Sequence, residues 1–265
     1  PLQEVITVFG LDWEQRIKAT AAVVSDLLKS AARHTVKRTV SEGDSAAYAR
    51  KMLVERYQQD IAGMEKRAHK QIKKHFKHNI FAYELPPQSI VNDDLFSTRA
   101  WQALGLTRNQ MAWAGAGIGA TIGAKVDLAL AGLGFGVFTA LGGALGAGSA
   151  AWGLRRIARS KIKGQPLGGV RIKVGPIQND QLLYVMCDRA LIYFWHVINW
   201  AHSRRDRPEV NPDNDSEIAG LLSARWGDER KRISRRFFKA ARKSDPYEME
   251  SAAAAFTRML SVILE

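Results

Sequence analysis

Three sets of residues have types and spacings that could do chemistry. The run 119–125, GATIGAK, approximates a phosphate-binding loop. Such a loop needs glycines whose amides face the phosphates, then a lysine and a hydroxyl that holds magnesium. Here Ala124 separates Gly123 from Lys125, and Val126 stands where the hydroxyl belongs. Gly115, Gly117 and Ala120 loosely match a dinucleotide fingerprint, but no predicted strand precedes them and no acidic residue follows about twenty positions on. His69, His75 and His78 form the second set, on a lysine-rich stretch without an acidic or cysteine partner. That setting would repel a metal ion, so surface histidines are expected and no metal site is assigned. Cys187 is the third, lying among apolar residues where cysteine behaves as a small hydrophobe. Asp188 and Arg189 beside it are expected to form a local pair or a polar contact to the chain's apolar hairpin. No catalytic residue is assigned, and no cofactor is expected in this chain.

Charge is more informative. Lys and Arg outnumber Asp and Glu to give a net charge of +13, which points to an anionic partner, phospholipid or nucleic acid. In the segment 225–243, Arg232, Arg235, Arg236, Lys239, Arg242 and Lys243 alternate with Trp226, Ile233, Phe237 and Ala240. A helix there has one cationic and one apolar face. It suits an anionic membrane surface, with the aromatics at the interface. It also suits RNA or DNA phosphates, although no nucleic-acid motif accompanies it. The remaining reading is a solvated face on a helix packed against the core. The single cysteine excludes an internal disulfide and fits a reducing, cytosolic setting. The N-terminus lacks a secretory signal, and Pro1 in place of Met suggests a processed chain or a fragment.

These residues must be positioned around the stretch 111–154, in which only Lys125 and Asp127 are charged. Gly115, Gly119 and Gly123 recur at four-residue spacing, followed by Gly132, Gly136 and Gly148 with Ala140 and Ala144 on a second row. On a helix such rows make smooth grooves for close packing, as in lipid. The run before Lys125 spans roughly 21 Å as a helix and the run 128–154 roughly 40 Å, against a bilayer core of about 30 Å. Arg108 precedes the stretch and Arg155, Arg156 and Arg159 follow it, so both ends favour the cytoplasmic side. The expectation is a helical hairpin with Lys125 and Asp127 at its tip, inserted in a membrane or buried at the centre of a soluble bundle.

Around it, residues 2–9 read as a short strand ending at Gly10, and Asp12 with Gln15 as a capping box opening a helix over about 13–40. A basic helix is expected over about 45–79, a short strand at 170–174, and helices over about 179–202, 218–243 and 247–264. The fold class is mainly α, a helical bundle around the glycine-rich hairpin with minor short strands. Two parts are expected, 1–92 and 93–265, with one continuous domain as the alternative.

Between Asp94 and Leu191 the motifs Asp94-Leu95-Phe96, Trp101, Gly105-Leu106-Thr107-Arg108, the hairpin with Asp127, Val174-Gly175-Pro176, Asn179 and Asp188-Arg189-Ala190-Leu191 resemble one family. It is the C-terminal domain of unknown function that follows an Era/TrmE-like P-loop GTPase domain in uncharacterised bacterial proteins. The resemblance implies an attached GTPase domain, with GTP and magnesium bound there and not in this chain. Together these features suggest a non-catalytic, regulatory domain at the cytoplasmic face of the bacterial inner membrane, or in the cytoplasm. Its hairpin would insert or dock, and its basic helices would bind anionic lipid. The alternatives are a soluble structural or protein-binding domain and, less favoured, a nucleic-acid-binding module.

Overall fold

The computed structural model describes residues 2–40, 45–76, 85, 89–97, 100, 118–122, 161–162, 165–166, 170–203, 222–243 and 245–265. The architecture is mainly helical with minor strands, as expected. Five α-helices are described: α1 (Leu2–Arg33), α2 (Ala46–His75), α3 (Asp180–Ser203), α4 (Asp228–Arg242) and α5 (Pro246–Leu264). The strands are β1 (Val36–Val40), β2 (Ile118–Ile122), β3 (Lys161–Ile162), β4 (Gln165–Pro166) and β5 (Val170–Ile177).

α1 corrects the N-terminal expectation. It is helical from Leu2 and passes through Gly10, where a strand and a break were predicted. The β-branched residues of 2–9 favour a strand locally. However, Leu2, Val5, Ile6, Phe9 and Trp13 are in phase with Ile17, Val24 and Leu28 on a period of 3.6, and continuity of that face overrides local propensity. Asp12 therefore lies mid-helix and pairs with Arg16 at 2.6 Å instead of capping. The helix also stops earlier than expected, at Arg33. Val36, Thr39 and Val40 then form β1, antiparallel to β5 in the register Val36↔Val174 and Val40↔Val170.

α2 begins at Ser45, whose hydroxyl accepts from the Tyr48 amide. Its stripe of Leu53, Tyr57, Ile61, Ala68, Ile72 and Phe76 is buried. α1 and α2 run antiparallel: Trp13 meets Phe76 edge-on at 5.7 Å, while His34, just past α1, stacks on Tyr57 at 5.2 Å. β5 is the central strand of the sheet β1-β5-β2. Gly175 has φ 86° and is followed by a cis bond to Pro176. A Cβ at Gly175 would strike the His34 carbonyl and lie 2.7 Å from the Tyr57 ring, so only glycine lets β5 approach the α1–α2 junction.

β2 corrects part of the hairpin expectation. Gly119 lies on a strand, not on a helix, with Ile118↔Ile177 and Ile122↔Ile172 paired across to β5. The register slips between Ile118 and Ala120, beside Gly119 and opposite Gly175 and Pro176. The β-branched residues Ile118, Thr121 and Ile122 favour this state, whereas glycine costs about 1 kcal/mol in a helix. The rest of the expected hairpin lies outside the described residues. Among the described residues, no helix is long and apolar enough to cross a membrane.

α3 is buried on nearly every side, from Leu182 to Phe194 and at Val197. α4 and α5 close against α1, with Phe237 stacked on Phe256 at 4.3 Å. Asp245 caps α5 by accepting from the Tyr247 and Glu248 amides, and Pro246 occupies the first turn, where its missing N–H costs nothing. A single hydrophobic core draws on Ile17 to Phe76 and on Leu182 to Leu264.

Candidate anionic-surface interface

α4 carries the described part of the predicted cationic surface. Asp228 and Glu229 sit in its first turn and Lys239 and Arg242 in its last, each matched to the helix dipole. Ser234, Phe237, Phe238, Ala240 and Ala241 turn inward and are buried. Arg232, Arg235, Arg236 and Lys239 are exposed on the outer side. Arg236 donates to the Ser251 hydroxyl of α5 at 3.3 Å, at the surface, and the two other predicted cations also make contacts within the fold. Arg242 donates to the Ile177 carbonyl at 2.8 Å and pairs with Asp180, and Lys243 pairs with Glu248 at 3.4 Å.

The apolar side of α4 is a correction. The aromatics Trp226 and Phe237, expected at the interface in the membrane reading, are buried in the core together with Ala240, and Ile233 is half-buried, as in the reading of a helix packed against the core. The aromatic network with Tyr184, Phe238 and Phe256 takes up that face. What α4 offers outward is therefore charge and not apolar surface. The second half of α2 adds Lys66, Arg67, Lys70 and Lys74, also exposed. Of the other predicted site residues, Gly119 is on β2. Gly115, Gly123, Gly132, Gly136, Gly148, Lys125, Asp127, Arg155, Arg156 and Arg159 lie outside the described residues.

The α2–α3 interface holds polar groups that periodicity did not reveal. Arg189 does not pair with Asp188. Its guanidinium forks onto Glu65 at 2.6 and 3.0 Å and donates to the carbonyls of Ile90 at 2.7 Å and Asp93 at 3.0 Å. The pair is almost wholly buried, so Arg189 uses its planar set of donors to replace the water that both charges lose. Asp188 faces the other way. Its carboxylate accepts from the Ser223 amide at 3.0 Å and the Ser223 hydroxyl at 2.7 Å, anchoring the 3-10 turn Leu222–Arg225 that leads to α4. Burial raises its pKa to about 7, against the lowering effect of the two Ser223 bonds.

His69 also departs from expectation. It is buried, stacked on Tyr193 with ring centroids 4.1 Å apart, and burial followed by the Arg189 charge lowers its pKa to about 3. It stays neutral near neutral pH. The neighbouring lysines point to a surface position, but Lys66, Lys70 and Lys74 are exposed on a side of α2 turned away from the buried stripe, and His69 lies at the edge of that stripe. The usable signal was phase: Glu65 and His69 fall four apart beside the Ile61–Ala68–Ile72 stripe. His75 is half-buried, and burial and Lys74 lower its pKa. His78 is outside the described residues. Cys187 is a free, fully buried thiol whose pKa burial pushes up, as its apolar surroundings suggested. Among the described residues, no group of His, Cys, Asp and Glu could hold a metal ion.

The comparison with curated proteins and that with solved structures gave no match. A family match extends over residues 1–261, including the helices, the sheet and the cationic face described above. The chain belongs to the family described as a domain of unknown function, DUF3482.

Proposed function

We propose that this domain is a non-catalytic, membrane-associating and regulatory module that binds anionic lipid through its cationic helices. One observation carries the reading: Arg232, Arg235, Arg236 and Lys239 share the exposed side of a helix whose other side is fixed in the core. Such a strip is presented rigidly and binds by charge. Each cation near an anionic surface contributes about 1 kcal/mol, so the four together are worth on the order of 4 kcal/mol. The net charge of +13 favours the same encounter over longer range. The glycine-rich stretch, with arginines at both ends, would insert or dock once the surface is reached. The resemblance to domains that follow an Era/TrmE-like GTPase adds an attached nucleotide switch, which would control that step at the cytoplasmic face of the bacterial inner membrane.

Flotation with phosphatidylglycerol and phosphatidylcholine vesicles tests the reading. Binding is expected to the anionic vesicles, to weaken with salt, and to fall at least tenfold when Arg232, Arg235, Arg236 and Lys239 are all changed to Glu. Equal binding to both vesicle types, or unchanged binding by the four-fold variant, removes the cationic helix from the account. Absence of vesicle binding combined with salt-sensitive binding to RNA or DNA favours a nucleic-acid module. Neither binding leaves a structural or protein-binding domain.

A further inference from the structure

The sheet carries charge in a way the helices behind it do not. On α1 and α2, which pack against the sheet, several cations are offset by an acid one turn away: Arg16 by Asp12 at 2.6 Å, Lys18 by Glu14 at 3.3 Å and Arg56 by Asp60 at 3.0 Å. The strands β1, β2 and β5 contain Lys37, Arg38, Arg171 and Lys173 and no Asp or Glu. Their register then sets Lys37 directly opposite Lys173. Residues directly opposite in an antiparallel pair project from the same face, with Cβ atoms about 5 Å apart, and like charges placed so destabilise the sheet. Alternation along the strands separates the two faces. Val40, Ile172 and Val174 are buried, whereas Lys37 and Thr39 are exposed and Lys173 is half-buried. Among the described residues, no acid pairs with either lysine.

The donors identify what fits this face. Phosphate has the charge to offset both ammonium groups and the oxygens to accept from several donors at once. Each ammonium supplies three N–H donors, and the Thr39 hydroxyl supplies one more. Thr39 is the next outward position on β1, about 7 Å along the strand from Lys37, and the register sets Arg171 opposite it. A second donor position beside the first suits two neighbouring phosphates better than one. None of these positions is aromatic, so the face lacks a platform on which a nucleobase could stack. What it can read is the phosphates themselves.

We infer that Lys37 and Lys173, on the outer face of the sheet, hold two neighbouring phosphates, joined in a soluble diphosphate or side by side on lipid headgroups. The site is separate from α4 and does not rest on lipid binding there. The probe is inorganic pyrophosphate, titrated into the intact chain by calorimetry at constant ionic strength, so that screening is the same at every step. Lys37→Glu turns the like-charge pair into an ion pair. It is expected to raise Tm by about 1–3 °C without ligand and to weaken pyrophosphate binding at least tenfold. Arg258→Glu makes the same change of net charge at an exposed position on α5 and is expected to weaken binding less than twofold. Because Lys37→Glu could fail to fold, Lys37→Gln removes the charge without adding an acid, and it is expected to weaken binding at least threefold. No pyrophosphate binding by wild type overturns the inference, as do an affinity that Lys37→Gln leaves unchanged and equal losses in Lys37→Glu and Arg258→Glu. A lower Tm in Lys37→Glu removes the opposed charges from the argument and overturns it too. Flotation of Lys37→Glu with the phosphatidylglycerol vesicles names the source of the phosphates once pyrophosphate binding is established. Weaker flotation than wild type assigns lipid headgroups, and equal flotation assigns a soluble diphosphate. Failure of α4 to bind lipid leaves the pyrophosphate titration unaffected, so the two readings fail separately.

Discussion

The α2–α3 interface and the outer side of α4 are both built from charge, and they use it in opposite ways. At Glu65 and Arg189 each charge is buried and every bond points into the fold. Arg232, Arg235, Arg236 and Lys239 are exposed, and the bond that Arg236 donates to the Ser251 hydroxyl at 3.3 Å is itself at the surface. Removing one buried partner strands the other in a medium that cannot solvate it, whereas removing an exposed charge leaves water in its place. The first region therefore maintains the structure, and the second is available for binding at little cost to stability.

The largest effect follows from breaking the buried pair. Glu65→Ala leaves Arg189 without its carboxylate and is expected to cost about 3–5 kcal/mol in urea denaturation. Replacing both partners with apolar residues of similar volume, Glu65→Leu with Arg189→Met, should recover much of that loss. If Glu65→Ala costs no more than an exposed substitution, the contrast between the two regions fails.

The pH profile sharpens the contrast next. Asp188 has a folded pKa of about 7 against 3.8 when free, so the folded state holds the proton more tightly. Its contribution is complete below about pH 4 and is lost as pH rises to about 7, a change on the order of 4 kcal/mol. His69 works the other way. Its pKa falls from 6.5 to about 3, so its contribution is present above pH 6.5 and is lost as pH falls towards 3. Wild type should therefore show a shallow profile between pH 4 and 7. Asp188→Asn keeps an acceptor for the Ser223 amide and should steepen the loss of stability on acidification. His69→Phe keeps the stack on Tyr193 and should make the protein gain stability on acidification. Parallel profiles for wild type and both variants would refute the opposition.

Two smaller effects complete the series. Asp245→Ala removes two hydrogen bonds at the start of α5 and should cost about 1 kcal/mol, seen as a fall in Tm. Changing Arg232, Arg235 or Lys239 singly to Glu should shift stability by no more than about 0.5 kcal/mol while measurably weakening binding to anionic vesicles. A large stability loss there would place those cations with the buried group.

The helices were legible where one period dominates a long stretch. The stripe of α2, the all-round apolar α3 and the Asp245-Pro246 break before α5 could all be read directly. Val170 to Val174 was legible as a strand because Gly168, Gly169 and Gly175 border it. β1 and β2 were not, because short runs of Val, Ile and Thr fit either state and their partner on β5 is distant in sequence. The same distance hid the Glu65–Arg189 pair, whose members are 124 positions apart. On α4 the two faces were legible. Which medium each face meets was not, because an apolar stripe reads alike whether it covers a core or enters a membrane.

The position of β5 at the centre of the sheet has a consequence for how the chain folds. β1, β2 and β5 are contributed by residues 36–40, 118–122 and 170–177, so neither edge strand has its partner until the third has been made. During synthesis α1 and α2 emerge ahead of β5, so β1 waits for more than a hundred further residues, and the side of α1 that meets α5 waits until that helix leaves the ribosome. Such long-range closure makes folding slow, and it leaves the apolar stripes of both early helices open to chaperones and to aggregation in the interval.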